Sequence, residues 1–311
     1  MMTGIQPIEQ CRAGTSNVEK PGRTRGETYT NRHKQSKLPA ERTLFNSISH
    51  PDHTPDPKQA IFLTHWGIDA PFNHVSFQTM QQPFYLLWDI DGTLISGGGA
   101  GERALSRAAE QQLGRAVDLR DIDYHGRTDL RIGRMIYDFL GHPVDEEAIK
   151  LFAEAYLQAL QEEMPRSAEA RQLPGVTTLL ERLVGDARLR LGLLTGNLDR
   201  GARIKLSHLQ LDHFFPFGYF ANHSEDRNGI AHYALKDLRT THSPTFPPSR
   251  ICIIGDTPHD IACARTIGAQ TIAIATGQYT QDQLAAHHPD LLLADLNDPE
   301  PFLQWLEKTI S

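Results

Sequence analysis

The sequence is short of cysteine, of long apolar runs and of positive charge. It has three cysteines among 311 residues, and Cys252 lies inside a predicted core strand, where a buried reduced thiol is the ordinary state. No run approaches the roughly 18 apolar residues that a membrane-spanning helix needs. The formal net charge is −7, and residues 81–311 alone carry −9, which argues against a broad surface for nucleic acid or for an anionic membrane. These features predict a soluble, cytoplasmic protein with neither kind of partner.

Residues 1–80 lack the apolar periodicity that the rest of the chain shows. They are rich in Pro, Thr, Ser, Gly, Arg and His, and such a composition buries too little apolar surface to offset the entropy of ordering. They have neither the basic and then apolar pattern of a secretory signal nor the acid-poor pattern of a transit peptide. We therefore expect either a disordered tail or a true start at Met80, four residues before the first predicted core strand.

The most informative segment is FYLLWDIDGTL, residues 84–94, an apolar run that ends in two aspartates. Continuous apolar runs are typical of parallel strands that are buried on both faces. Ligands of open α/β sheets bind beyond the carboxyl ends of the strands, so Asp89 and Asp91 are expected at a reaction site. Turn chemistry alone would explain Gly92, but it does not explain a pair of carboxylates at a strand end.

A second strand-like run, RLGLLT at residues 190–195, ends in Thr195, Gly196 and Asn197. Hydroxyl and amide donors at a strand end can stabilise negative charge that develops on a bound substrate. The Thr195 hydroxyl is such a donor, and Gly196 allows backbone N–H groups to approach closely. Thr-Gly-Asn is also a plain turn, so this segment is weak evidence by itself.

A third run, RICIIGD at residues 250–256, leads into GDTPHD and a further aspartate. Mg²⁺ prefers oxygen ligands, so Asp256 facing Asp89 across the crevice would complete a sparse metal site. Asp260, one turn into the next helix, is better placed to hold a metal-bound water or to orient a cation. An acidic residue at a helix start is also an ordinary capping choice.

Two cations follow the short strand predicted at 217–221, in the segment NHSEDRNGIAHYALKDL. Arg227 is expected in the loop just past the strand end. Lys236 is expected on the solvated face of a helix, whose predicted apolar positions are Ile230, Tyr233, Ala234 and Leu238. Spacing therefore favours Arg227 as the cation of the site, and its guanidinium can bind two oxygens at once.

These strand-end motifs, in this order, resemble those of the haloacid dehalogenase superfamily, from Gln82 to about Trp305. Within it they are most similar to the phosphoglycolate phosphatase-like branch, which has a helical cap between the first two motifs. The family usually has a lysine at its third motif, so Arg227 is a departure. The resemblance implies a role for each residue: nucleophile Asp89, general acid/base Asp91, phosphate binding by Thr195, Gly196, Asn197 and Arg227, Mg²⁺ ligation by Asp89, Asp91 and Asp256, and support from Asp260.

Between the first and second motifs the periodicity changes from strand-like to helical. Helices are predicted at 102–113, 128–140 and 145–164, between a glycine-rich hinge at 96–101 and a second crossing near 166–174. We therefore predict a doubly wound α/β fold with a mainly parallel, Rossmann-like sheet. Residues 81–97 and 172–311 would form this core, with strands near 84, 190, 217, 250, 271 and 291. Residues 98–171 would form an inserted all-helical cap.

The cap segment HGRTD, residues 125–129, resembles a Gly-x-Thr-Asp segment of phosphoglycolate phosphatase-like proteins. Two interpretations stay open. Arg127 would contact an anionic group of the substrate, or Thr128 and Asp129 simply cap the helix that follows.

The function predicted from the resemblance is Mg²⁺-dependent hydrolysis of a small phosphomonoester metabolite through an aspartyl-phosphate. A dehalogenase is disfavoured because Asp91 and Asp256 are both present. A sugar phosphomutase would share the core residues, and a phosphonate hydrolase would need a cap lysine, for which Lys150 is the only candidate. A catalytically silent binding protein is a further alternative, and neither the substrate nor the oligomeric state is specified by the sequence.

Overall fold

A six-stranded parallel sheet forms the centre of residues 82–311, the part of the chain that the computed structural model describes. In chain order the strands are β1 (Phe84–Trp88), β2 (Ile95–Ser96), β3 (Arg171–Gln172), β4 (Leu189–Leu194), β5 (Gly218–Tyr219), β6 (Ile251–Gly255), β7 (Gln270–Ile274) and β8 (Leu291–Leu293). The helices are α1 (Ala100–Leu113), α2 (Asp129–Leu140), α3 (Glu146–Arg166), α4 (Val176–Leu183), α5 (Asp199–His208), α6 (Arg227–Thr241), α7 (Pro258–Ile267), α8 (Gln281–Ala285) and α9 (Glu300–Ile310). In this part of the chain no helix is both long and apolar enough to cross a membrane. The expected tail, residues 1–80, lies outside the described residues.

The strands of the main sheet are ordered β5-β4-β1-β6-β7-β8, and all neighbouring pairs are parallel. β1 pairs with β4 on one side and with β6 on the other, so Leu86 is opposite both Leu191 and Cys252. The chain winds outward from β1 in both directions, which confirms the predicted doubly wound α/β fold. All six predicted strands are present, although β5 occupies only Gly218–Tyr219 within the predicted 217–221.

Helices cover both faces of the sheet, which explains why its strands are continuous apolar runs. Trp88 is fully buried on one face, where its ring stacks on Phe302 of α9 with 5.7 Å between the ring centroids. The adjacent Leu87 belongs to a different apolar cluster, with Ile230 of α6 and Ala264 of α7. Since side chains alternate along a strand, β1 is held from both faces, and the backbone that follows it is fixed in position.

Helices α1, α2 and α3 lie between β2 and β3 in the sequence and share one apolar cluster. β2 and β3 pair with each other as a two-stranded antiparallel ribbon. Beside it, the Ser167 hydroxyl lies within hydrogen-bond distance of the carbonyl oxygens of Gly97 (3.0 Å) and Gly98 (2.8 Å). The two connections to the helical segment therefore run side by side. Sequence reasoning missed this ribbon because two-residue strands have no readable periodicity.

The starts of α2 and α3 agree with the capping residues expected from the sequence. Thr128 and Asp145 each accept a hydrogen bond from the backbone N–H three residues further on, at 3.2 and 2.8 Å. Helix α1 begins at Ala100 rather than at 102, inside the segment predicted as a hinge. Ala100 and Ala104 are fully buried in the cluster that α1 shares with α3, so packing extends the helix into a sequence with low helix propensity.

We expect Phe302→Ala to destabilise the protein strongly, because Phe302 is fully buried against Trp88. Removing a buried phenyl ring costs about 3–5 kcal/mol of unfolding free energy. Gln304→Ala is the matched control, since Gln304 is exposed on the same helix and surface substitutions usually change stability by less than about 0.5 kcal/mol. Urea denaturation measures both values. Equal destabilisation by the two variants would contradict the packing described here.

Candidate active site

Asp89 and Asp91 follow directly after β1, at the carboxyl end of the sheet. The backbone N–H of Asp89 donates to the carbonyl oxygen of Ile254 in β6 (2.8 Å), so the sheet itself fixes the first aspartate. The side chain of Asp89 is buried, whereas the side chain of Asp91 is 44% exposed. The two carboxylates therefore occupy different surroundings, although only one residue separates them.

Thr195, Gly196 and Asn197 follow β4, the neighbour of β1 in the sheet. The Thr195 hydroxyl lies near the Asp89 carboxylate and lowers its pKa, against the larger rise that burial causes. The side-chain amide of Asn197 donates to the Thr195 hydroxyl (2.9 Å) and to Oδ2 of Asp91 (2.9 Å). Hydrogen bonds thus join the ends of the two strands, and the structure brings together the residues of the first two predicted motifs.

Asp256 follows β6 and is buried, with its Oδ1 accepting a hydrogen bond from the Thr93 hydroxyl (3.1 Å). Gly92 and Gly277 face the same carboxylate. A Cβ atom at these positions would lie only 2.3 and 1.7 Å from Oδ2 of Asp256, so the backbones of two loops form a cradle that no larger residue fits. Gly277 was missed from the sequence because a single glycine in a loop is not distinctive.

Arg227 is the first residue of α6, not a loop residue as predicted, because the side chain of Asp226 caps the helix immediately before it. The guanidinium is 6% exposed; its Nη2 lies 2.9 Å from Oδ1 of Asp89 and also bonds the carboxylate of Asp260. Its Nε has no hydrogen-bond partner among residues 82–311. Lys236 is exposed further along α6, so Arg227 is the member of this pair that reaches the site.

Asp260 is fully buried, and both of its carboxylate oxygens have partners. Oδ1 bonds Arg227, while Oδ2 accepts hydrogen bonds from the backbone N–H (3.0 Å) and the hydroxyl (2.7 Å) of Thr257. Oxygen atoms of Asp89, Asp256 and Asp260 all lie within 4.8 Å of one another. Because the oxygens of Asp260 are already engaged, Asp89 and Asp256 are the carboxylates with capacity for a metal ion.

The three carboxylates carry more negative charge than Arg227 balances. Burial raises the pKa of Asp89 to about 6, although the nearby guanidinium opposes this shift. Burial, and then repulsion from Asp89, raises the pKa of Asp256 well above its usual range. Burial alone would lower the pKa of Arg227, but the adjacent Asp260 and Asp89 raise it, so the guanidinium stays charged. Mg²⁺ prefers oxygen ligands, and clustered carboxylates with uncompensated negative charge attract it. Asp89 and Asp256 therefore fit a Mg²⁺ ion.

Lys205 is a residue of the site that the sequence reasoning missed. It lies on α5, is 5% exposed, and places its Nζ 2.6 Å from Oδ2 of Asp91 and 2.6 Å from Oδ1 of Asn197. A lysine in a helix is ordinarily solvated, which is why it was passed over. A signal was present, because Lys205 shares the buried face of α5 with Ala202 and Leu206, at the spacing of an apolar stripe.

A cavity of about 320 Å³ opens between these strand ends and the helical segment. Asp89, Asp91 and Arg227 line it from the sheet side, whereas Tyr124 and Arg127 line it from the helical side. All the predicted site residues except Asp260 therefore border one space, and Arg127 from the segment at 125–129 faces them.

The two interpretations of the segment at 125–129 are not exclusive. Thr128 caps α2, and its hydroxyl also donates to the backbone carbonyl of Glu225 (2.6 Å). Asp129 instead accepts a hydrogen bond from the N–H of Leu198 (2.8 Å), just after the second motif. Arg127 lines the cavity.

A parallel sheet with aspartates at the ends of two adjacent strands, and a helical insertion after the first, is typical of a class of phosphoryl-transfer and related hydrolytic enzymes. A family model described as haloacid dehalogenase-like hydrolase matches residues 86–274, which is more than half of the chain. The chain belongs to this family. The predicted resemblance is thereby confirmed, and so is the prediction of a hydrolase.

Comparisons with individual proteins agree with this assignment. The chain is 24% identical over 211 residues to a probable phosphatase, IndB, of Dickeya dadantii (strain 3937), covering 67% of this chain and 88% of that protein. It is similar to the structure of a predicted phosphoglycolate phosphatase from Haemophilus somnus 129pt, with a TM-score of 0.56, 18% identity and coverage of 72% and 99% of the two chains. It is also similar to a putative β-phosphoglucomutase from Bacteroides vulgatus, with a TM-score of 0.53, 21% identity and coverage of 74% and 91%. At these identities the structural likeness shows the fold, which the two neighbours share.

We expect saturating Mg²⁺ to raise the melting temperature by at least about 3 °C, since a ligand that binds only the folded state stabilises it. Asp256→Asn should remove this rise. Without metal the same variant should melt at or above the wild-type temperature, because it relieves repulsion from Asp89. Asp138→Asn, at an exposed carboxylate on α2, is the matched control and should keep the full Mg²⁺ response. A response to Mg²⁺ that survives Asp256→Asn would place the metal elsewhere.

Proposed function

We propose that this protein is a Mg²⁺-dependent phosphatase that hydrolyses a small phosphomonoester through an aspartyl-phosphate on Asp89. The observation that carries the proposal is the setting of Asp89: its buried carboxylate contacts the Thr195 hydroxyl and the Arg227 guanidinium. Asp91, a second and half-exposed carboxylate, borders the same cavity. A nucleophile, two donors for phosphoryl oxygens and a proton carrier therefore share one space.

In the first step, a carboxylate oxygen of Asp89 attacks phosphorus while the bond from phosphorus to the leaving oxygen breaks. Asp91 donates a proton to that oxygen, so the leaving group departs as a neutral alcohol. Thr195, the backbone at Gly196 and Arg227 hold the transferring oxygens. The unpartnered Nε of Arg227 is a spare donor for this purpose, and such donors act most strongly where charge develops.

In the second step, Asp91 accepts a proton from a water molecule, which attacks the phosphorus of the aspartyl-phosphate. The bond from phosphorus to Asp89 breaks, and inorganic phosphate and the free carboxylate result. Two easier displacements replace one difficult one, which is the general advantage of covalent catalysis. Asn197 is expected to orient this machinery as well as to bind phosphate, because its amide already bonds Thr195 and Asp91.

Asp89, the backbone carbonyl of Asp91 and Asp256 would hold Mg²⁺, which when bound offsets the negative charge of the nucleophile and of the phosphoryl group. Asp89 must be ionised to attack, and a cation beside it counteracts the rise in its pKa that burial causes. Asp260 remains a supporting residue that orients Arg227.

We further propose that residues 98–171 act as a cap over a core formed by 81–97 and 172–311. The cap segment bonds the core beside the site: the N–H of Asp129 donates to the carbonyl oxygen of Gly196 (2.7 Å), and Arg134 pairs with Glu225 (2.7 Å). A cap in this position excludes bulk water from the aspartyl-phosphate and provides contacts to the leaving group.

The alternative activities differ in what they require of the chain. A phosphonate hydrolase needs a neutral lysine amine, but Lys150 is exposed on α3. Lys205 lines the cavity, yet Asp91 and its other neighbours raise its pKa, which burial alone would lower, so it is unsuited to forming an imine. A phosphomutase would use the same core residues and would return the phosphoryl group to another hydroxyl.

The decisive assay is release of inorganic phosphate from phosphoglycolate, glycerol 3-phosphate and glucose 6-phosphate, with Mg²⁺ and with EDTA. A phosphatase releases phosphate with Mg²⁺ only. A mutase would instead return an isomeric sugar phosphate, and a silent binding protein would turn over none of these esters.

We expect Asp89→Asn to abolish turnover without loss of fold, because an amide is nearly isosteric with a carboxylate but is a far weaker nucleophile. Phosphate release and a melting curve should be measured on the same preparation. Activity within about tenfold of wild type, a barrier change of only about 1.4 kcal/mol, would remove Asp89 from its assigned role.

Arg227→Ala should lower kcat by a factor of roughly 100 or more, the scale observed when one donor to a transition state is lost. Lys236→Ala is the matched control on the same helix and should leave kcat unchanged, because this lysine is exposed. Steady-state kinetics on the best ester of the panel measures both. The reverse pattern would show that the later lysine provides the cation.

A further inference from the structure

The buried lysine on α5 has no place in the mechanism so far, although it touches the proton carrier directly. Its side chain is 6% exposed, and its Nζ lies 2.6 Å from Oδ2 of Asp91. Burying an ammonium group out of contact with water is unfavourable unless the group is well paired. An exposed position on α5 would avoid that cost, so the placement of Lys205 calls for a reason beyond packing.

We propose that Lys205 is a positioning residue that fixes the carboxylate of Asp91 for proton transfer to the leaving group. This inference rests on the proposed phosphatase function and adds to it the group that orients the general acid. Lys205 does not itself contact the phosphoryl group in this assignment. It acts through Asp91.

The hydrogen bonds around Asp91 are asymmetric. Lys205 Nζ and Asn197 Nδ2 both donate to Oδ2, at 2.6 and 2.9 Å. Oδ1 has no hydrogen-bond partner within residues 82–311, and Asp91 borders the cavity. Because Oδ2 already accepts two donors, the transferable proton belongs on Oδ1. Lys205 and Asn197 together therefore select the oxygen that serves the leaving group.

The same lysine is also held in place from several sides. Its Nζ lies 2.6 Å from Oδ1 of Asn197, and Asp129, from the helical segment, raises the pKa of Lys205 together with Asp91. Asn197 in turn donates to the Thr195 hydroxyl, which lies near Asp89 and lowers its pKa. The orientation of the proton carrier is thus tied to the orientation of the nucleophile through side chains that are almost all buried.

A positioning role predicts a dependence on the leaving group that a structural role does not. An alkoxide is a poor leaving group and needs the proton, whereas p-nitrophenolate departs without one. The kcat/KM value reports only the steps through alcohol release, so it isolates the acid function of Asp91 from its later action as a base. Positioned acid catalysis is worth about 100-fold to 10,000-fold in rate, and part of this should be lost with Lys205.

The experiment compares kcat/KM for the best alkyl ester of the panel with kcat/KM for p-nitrophenyl phosphate in Lys205→Met, which keeps the length and apolar stem of the side chain. We expect a fall of roughly 30-fold or more for the alkyl ester and of less than about threefold for p-nitrophenyl phosphate. The readout is the ratio of the two values, which does not depend on the fraction of folded enzyme. Lys205→Gln provides the same ratio if the methionine variant aggregates.

One control completes the design. Lys236→Met removes an exposed lysine on another helix and should leave the ratio unchanged. Equal falls on both esters in Lys205→Met would overturn the positioning role and leave the phosphatase proposal intact. A wild-type protein that hydrolyses neither ester would overturn the proposed function, and the inference with it.

Discussion

Three buried carboxylates converge on one guanidinium, and this imbalance of charge governs the site. Asp89, Asp256 and Asp260 lie within 4.8 Å of one another, and each costs free energy to bury as an anion. The single positive charge of Arg227 can balance only one of the three negative charges. Asp89 and Asp256 cannot move apart, because they follow β1 and β6, which are hydrogen-bonded neighbours. The carboxylates at the strand ends therefore repel one another in the folded protein, and this repulsion is relieved when a cation binds or when a carboxyl group is protonated.

These carboxylates are attached to rigid elements. The sheet side of the cavity and its helical side are built differently. The sheet side consists of residues that follow β1, β4 and β6 or that start α6, so its groups are positioned by backbone hydrogen bonds and by the apolar core on both faces of the sheet. The opposite side is formed by the helical segment, through Tyr124 and Arg127. Under the proposed function, this division would separate the groups that perform the reaction from those that contact the rest of the substrate.

The parts of this structure that the sequence predicts are those with a strong local signal. Apolar runs ending in Asp or Thr located β1, β4 and β6, and capping residues located the starts of α2 and α3. Long-range placement had no such signal. Lys205 contacts Asp91, 114 residues away, Gly277 faces Asp256 from a separate loop, and the ribbon of β2 and β3 pairs segments too short to show a period. In each case the partner in space, not the neighbour in sequence, decides the role.

Because β2 and β3 pair with each other, the chain enters and leaves the helical segment α1 to α3 at adjacent points. A segment whose two ends meet can be lengthened, shortened or exchanged without moving the strands on either side. Under the proposed function, an exchange of helices α1 to α3 would change the side chains that face the leaving group, while the residues that follow β1, β4 and β6 would stay in place.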